Sequence, residues 1–343
     1  MTRQGHDPDR DRDPDDKSYW QAFPKVELHL HLEGAAPPGL IRDMARARRI
    51  DIGGIFAPDG GYAWTDFPHF LQVYEAATSV LQSPEDYARL TRAVLESSAE
   101  NGVIYTEVFL CPDFCGGRDP IAWADYLAAI HDAARQAERD FAIAARGIIT
   151  CIRHFGPDAA RQTARCAAET AGDFITGFGM AGNESVLTPA DFAWSFDCAR
   201  EAGLRLTSHA AEWQGPDEVR ATLDALRVER IGHGVRGHTD PALLDRLAET
   251  CVMLEVCPIS NVTLGIFPDM AAHPIAKLRD HGVRVSISTD DPPFWHTTMT
   301  QEFAALEQAF GWDRATFAAI TRDSLDAAFC DAATKDRLLK HLP

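Results

Sequence analysis

The stretch KVELHLHLEG, Lys25 to Gly34, sets two histidines two residues apart with a glutamate on either side. A strand repeats every two residues, so Val26, Leu28, Leu30 and Leu32 share one face and Glu27, His29, His31 and Glu33 share the other. Titratable groups close other short apolar runs too. His209 and Glu212 stand in SHAAEW, His233 in IGHGV, Asp290 and Asp291 in STDDP, Gly182 and Glu184 in MAGNES. Three imidazoles and a carboxylate brought together would hold one divalent metal, zinc first among the candidates. A catalytic zinc keeps a position for water and lowers the pKa of that water to about 7. Taken singly, each piece has a plainer use: H-x-H as a polar strand face, His209 or His233 as a core histidine, DDP as a turn or helix cap. The chemical reading needs all of them in one place.

Eight apolar runs are available to carry them there, at 25–32, 103–110, 143–150, 175–181, 205–211, 230–235, 252–257 and 283–289. Helical stretches such as DYLAAIHDAARQAERD lie between them. Strand–helix alternation predicts an α/β fold with a parallel sheet, and eight repeats predict a (β/α)8 TIM barrel. Active sites of such barrels lie at the C-terminal strand ends, where the groups above fall on runs one, four, five, six and eight. The first connection, from about 33 to 102, is much longer than the rest and reads as inserted helices over the mouth. Trp64, Phe67 and Phe70 within it fit an apolar lid, and fit equally well the packing of a helix on the barrel. The fourth run has no lysine of the kind that bridges two metals in related barrel hydrolases. That favours a single metal and leaves His233 free for proton work. Arg153 and His154, after the third run, should lie near the mouth. Cys257 is expected in the core, and Glu27 below the metal.

The bulk properties exclude several classes. A net charge of −18 repels nucleic acid and anionic membrane, so neither is an expected partner. No apolar run reaches the roughly 18 residues of a membrane span. The eight cysteines are scattered without a C-x-x-C pair; the closest two, Cys111 and Cys115, read as free thiols. A reducing cytoplasm is expected. Residues 1–18 are charged, contain proline and lack an apolar centre, which predicts a disordered tail rather than a signal peptide. Residues 19–343 then form one domain. Nothing in the chain argues for a particular oligomer.

PKVELHLHLEGA, AGNES, SHAAE, RIGHGV, EVCPISN and STDDP occur in this order between about 24 and 330. Together they resemble the adenosine deaminase family of the amidohydrolase superfamily, which holds adenosine deaminases and the related adenine deaminases. The resemblance implies a zinc bound by His29, His31, His209 and Asp290. It implies that Glu212 protonates the purine N1 and that His233 orients the metal-bound water and takes its proton. Asp291 would hydrogen-bond N7, the backbone of Gly182 would meet N3, and His31 and Glu33 would also face the substrate. The implied reaction is hydrolytic deamination of a 6-aminopurine small molecule at C6 by metal-activated water. Adenosine to inosine is the first expectation; adenine to hypoxanthine, or deamination of a modified 6-aminopurine, is the alternative.

Departures from the family pattern bear on that choice. Glu33 stands where the adenosine enzymes usually carry an Asp facing the ribose 5′-hydroxyl, and Glu is common there in the adenine enzymes. Ala211 replaces the usual Gly and is expected to tighten the pocket floor, and Asn183 replaces an Asp. SNV after Cys257 leans towards the adenine-type branch, GFGMAGNE towards the adenosine enzymes. A third class, a barrel that binds zinc or purine without turnover, would be expected to have lost Glu212, His233 or Asp291.

Overall fold

Eight parallel strands follow one another around a barrel in chain order. In the computed structural model, which describes residues 17–343, they are β1 (Lys25–His31), β2 (Val103–Leu110), β3 (Ala144–Ile152), β4 (Ile175–Ala181), β5 (Arg205–Ala210), β6 (Arg230–His233), β7 (Met253–Val256) and β8 (Arg284–Ile287). Most of the segment expected as a tail lies outside the described residues. A short helix, Lys17–Ala22, already begins within it and buries Trp20.

The ring closes between β8 and β1 just where the acid and imidazole motifs stand. The N–H of His31 donates to Asp290 O, and that of Asp290 to His29 O, each at 3.1 Å. Helices cover the outside, so both faces of β1 are buried rather than one. Eight helices start on a proline at their first position: 38–48, 84–100, 120–141, 157–170, 216–226, 241–250, 258–263 and 292–295. Proline has no N–H to leave unpaired there, and its fixed φ suits a first turn. Each such proline limits how far the preceding loop can run.

The later strands end earlier than the apolar runs suggested, for a backbone reason. Ala211, His233 and Asp290 all take left-handed φ values of 56°, 58° and 67°. Such angles turn the chain at or just past the strand ends and cost a non-glycine residue about 1–3 kcal/mol, a strain that collects at functional sites. Each turn tips a site residue off its strand and into the mouth. The long first connection is helical as expected, with helices 38–48, 67–78 and 84–100.

Candidate active site

His29 is wholly buried, and its Nδ1 lies 2.8 Å from Glu255 Oε2 on β7. The other oxygen of Glu255 accepts from Thr207 Oγ1 at 2.8 Å and Arg230 Nε at 2.7 Å. Arg230 also pairs with Glu107 of β2. Glu255 therefore stays ionised, and the imidazole proton belongs on Nδ1. Nε2 of His29 is left buried with no hydrogen-bond partner. A buried orphan of this kind is unusual and calls for an explanation.

The surroundings supply one. His209 donates from Nδ1 to Met180 O at 2.9 Å, which turns its Nε2 inward, 3.3 Å from His31 Nε2. Asp290 uses Oδ2 to accept from Ser260 Oγ at 2.8 Å and Trp295 Nε1 at 3.3 Å. Its Oδ1 then lies 3.3 Å from His31 Nε2 and 3.5 Å from His29 Nε2. Ligand atoms of His29, His209, His233 and Asp290 also fall within 4.8 Å of one another. Five donors thus surround one point. Burial lowers His31 below the usual imidazole range and His209 well below it, and takes His233 down to about 3. Burial alone would raise Asp290, but the His29 and His31 rings hold it well below the carboxylate range. Burial would also lower His29, yet Asp290 and Glu255 outweigh it and raise the ring to about 9. His31, His209 and His233 are thus neutral, and with one carboxylate and the orphaned His29 nitrogen they fit a divalent cation, which would take the place of the proton that Asp290 favours on His29.

Two more acids flank the cluster. Glu212 follows the left-handed Ala211, and the Glu184 carboxylate grips its turn. Glu184 accepts from the N–H groups of Glu212 at 3.1 Å, Trp213 at 3.2 Å and Gln214 at 3.0 Å. Burial, with Asp290 and Glu184 nearby, pushes Glu212 well above the carboxylate range. Its Oε1 lies 3.9 Å from His233 Nε2. Asp291 is likewise raised well above its range by burial and by Asp290, and its Oδ1 is a second buried orphan.

Gly34 makes room for that oxygen. A Cβ at Gly34 would sit 1.5 Å from Asp291 Oδ1. Gly34→Ala is therefore expected to swing the Asp291 carboxylate away and lower kcat/KM by about 10²-fold, the scale of a 1 Å misplacement. Steady-state kinetics beside a melting curve would check this; kcat/KM within a few-fold of wild type would show that Asp291 does not act from this position.

Glu212, His233, Asp290 and Asp291 line a cavity of about 110 Å³ at the C-terminal mouth, which also takes in His31, Glu33, Gly182 and His209. Phe67 and Phe70 line it, as a lid would. Trp64 does not; it packs edge-on against Trp295 at 5.2 Å and donates from Nε1 to Phe294 O at 3.1 Å. Ala211 is buried outside the lining, so its part is the turn before Glu212 and not the pocket floor. Gly182 has φ +103°, and a Cβ there would meet His154 Nδ1 at 2.8 Å. Asn183 folds its own loop by accepting from Ser185 N and Oγ. His154 reaches the cavity, whereas Arg153 turns away to Glu218 and the carbonyls of Val186 and Leu187. Cys257 is in the core, and Glu27 accepts from Thr289 beneath Asp290.

Glu33 is buried; its Oε1 accepts from Tyr87 OH at 3.1 Å and from the Cys115 thiol at 3.7 Å. Burial raises it to about 7. The sequence reading assigned no role to Glu255, Arg230, Ser260, Asn261 or His273. A lone acid inside the apolar run VMLEVC was the one available signal for Glu255.

Comparison with known proteins bears on the family and the fold. The sequence profile described as adenosine deaminase matches residues 24–343. An adenine deaminase of Agrobacterium fabrum is 46% identical over 318 residues, covering 93% of this chain and 97% of that protein. The crystal structure of adenine deaminase from Arthrobacter aurescens superposes with a TM-score of 0.86 at 31% identity, covering 93% of this chain and 98% of that one. An amidohydrolase from Burkholderia ambifaria, solved with bound zinc, superposes with a TM-score of 0.85 at 28% identity, covering 94% and 90%.

Proposed function

This chain belongs to the adenosine deaminase family, and from that premise we propose that it hydrolyses adenine to hypoxanthine and ammonia. Deamination of a 6-aminopurine is common ground for both candidate substrates. The choice of the free base over adenosine, the first expectation from the sequence, rests on Glu33. Its Oε1 is tied back to Tyr87 and Cys115 and the side chain is buried at the cavity wall, which draws the carboxyl away from a sugar hydroxyl. The names of the relatives weigh the same way.

His29, His31, His209 and Asp290 would hold the cation, and the zinc of the Burkholderia structure supports zinc as its identity. When bound, such a cation supplies a water that ionises near neutral pH. Everything else falls to the chain. Glu212, kept protonated by burial, gives its proton to the purine N1 as C6 is attacked, so that the ring need not carry the negative charge. Asp291 meets N7, and the Gly182 backbone meets N3. His233 orients the attacking oxygen. Phe67 and Phe70 exclude bulk water from the mouth. The eight free cysteines suit a reducing compartment such as the cytoplasm, and no described helix is long and apolar enough to cross a membrane.

Ammonia release from adenine and adenosine at equal concentration tests the assignment. The expected kcat/KM for adenine exceeds that for adenosine by roughly 10²-fold, the scale on which a closed pocket separates related substrates. Faster turnover of adenosine would overturn the reading of Glu33.

A further inference from the structure

His31 and His233 compete for one place. Both rings border the cluster, and a nitrogen of His233 lies as well for ligation as those of its neighbours. Hydrogen-bond direction separates them. The chain of bonds starts at a donor whose sense is fixed, the backbone N–H of Ile275, which donates to His273 Nδ1 at 3.2 Å. His273 Nδ1 is then an acceptor. Burial lowers this ring to about 3, so it is neutral and carries its one proton on Nε2. Nε2 lies 3.2 Å from Asn261 Oδ1 and donates to it. That turns the amide NH2 of Asn261 towards His233 Nδ1, 3.3 Å away. His233 Nδ1 must accept, and the ring proton sits on Nε2, the nitrogen that faces Glu212. All three side chains are at most 3% exposed, so no solvent can reverse the order.

We propose that Asn261 and His273 are positioning residues that hold His233 as its Nε2–H tautomer, so that it presents a donor and not a lone pair to the reacting centre. The proposal rests on the reading of His233 as facing the site. Two consequences follow. Without a lone pair on Nε2, His233 cannot ligate the cation, which leaves the fourth place to His31. Nor can it take a proton from the attacking oxygen; it orients that oxygen by donating to it. The water would lose its first proton before attack, ionising near neutral pH on the cation, and the proton transfers after attack fall to Glu212. Having given its proton to N1, Glu212 is a carboxylate. It can take the proton of the hydroxyl added at C6 and hand it to the amino group, and the proton that the water lost on ionising restores Glu212 before the next turnover. The C6–N bond then breaks, ammonia leaves and the C6 carbonyl forms.

Imidazole nitrogen NMR on the zinc-loaded, 15N-histidine-labelled protein tests this, with the His233 signals identified by their loss in His233→Gln. The expected spectrum has the His233 proton on Nε2 and a bare Nδ1. Asn261→Asp replaces the donor by an acceptor and should move the proton to Nδ1. Asn261→Leu removes the partner and should give a mixture. In each variant that shifts the tautomer, kcat should fall by roughly 10–100-fold, the usual scale for partners of site histidines, with KM within a few-fold of wild type. A proton on Nδ1 in the wild-type protein would overturn the proposal. So would unchanged kcat in a variant whose tautomer has moved. Should Asn261→Asp fail to fold, His273→Phe frees the amide to rotate, and the same two readings apply. The spectrum is read without substrate, so it stands or falls separately from the choice of adenine.

Discussion

Glu212→Gln is expected to keep the cation and to lose nearly all turnover. The substitution is isosteric, and the turn that carries residue 212 is held by its backbone N–H groups on Glu184, which the change does not touch. The amide has no acidic proton to give. Attack at C6 would then place negative charge on a ring nitrogen in an apolar cavity, where uncompensated charge is costly. Loss of a positioned general acid typically costs about 10²–10⁴-fold. The effect should sit at the upper end here, because in the proposed reaction Glu212 also carries the proton to the leaving amine. Metal content and kcat measured on the same preparation separate the two roles. A variant within a few-fold of wild type would remove Glu212 as the proton donor. Loss of metal along with turnover would make it a ligand instead.

Much of this site was legible because a barrel strand announces itself twice, by its apolar run and by what stands at its end. The alternation of His29 and His31 predicts the direction of both rings, although the face they share is mostly buried, with His31 alone partly open at the cavity. What the sequence withheld was the hydrogen-bond partners. The inward aim of His209 depends on the carbonyl of Met180, which has no sequence signature. Arg230 and Glu107 are charges inside parallel strands, and their pairing with Glu255 requires the barrel to close. Asn261 lies on a six-residue helix and His273 in the loop that follows, and neither pattern predicts contact with β6. Tautomers are set by such partners, so sequence could supply the imidazoles but not which nitrogen of each is free. The lid was half legible for a similar reason. Phe67 and Phe70 face the mouth, and Trp64 is drawn behind them by Trp295, a residue 231 positions away in the chain.

His209→Ala is expected to release the metal on dialysis and to abolish activity, with melting that stays cooperative. The ring hydrogen-bonds through Nδ1 to Met180 O and takes no part in the Glu255–Arg230 pair beneath His29, so its removal opens the cluster without breaking that pair. His29, His31 and Asp290 remain, and the loss of one imidazole from the proposed four-ligand set weakens the site enough for dialysis to empty it. Stoichiometric metal with full activity after dialysis would show that the ligand set is wrong. The same measurement on two further variants decides between the neighbouring rings. His31→Ala should lose metal as His209→Ala does. His233→Ala should keep it and lose turnover, because in the proposed tautomer Nε2 carries a proton and has no pair of electrons to offer a cation. If His233→Ala lost the metal and His31→Ala kept it, the bond from Asn261 would have to run in the opposite sense, and with it the whole order from Ile275 to the reacting carbon.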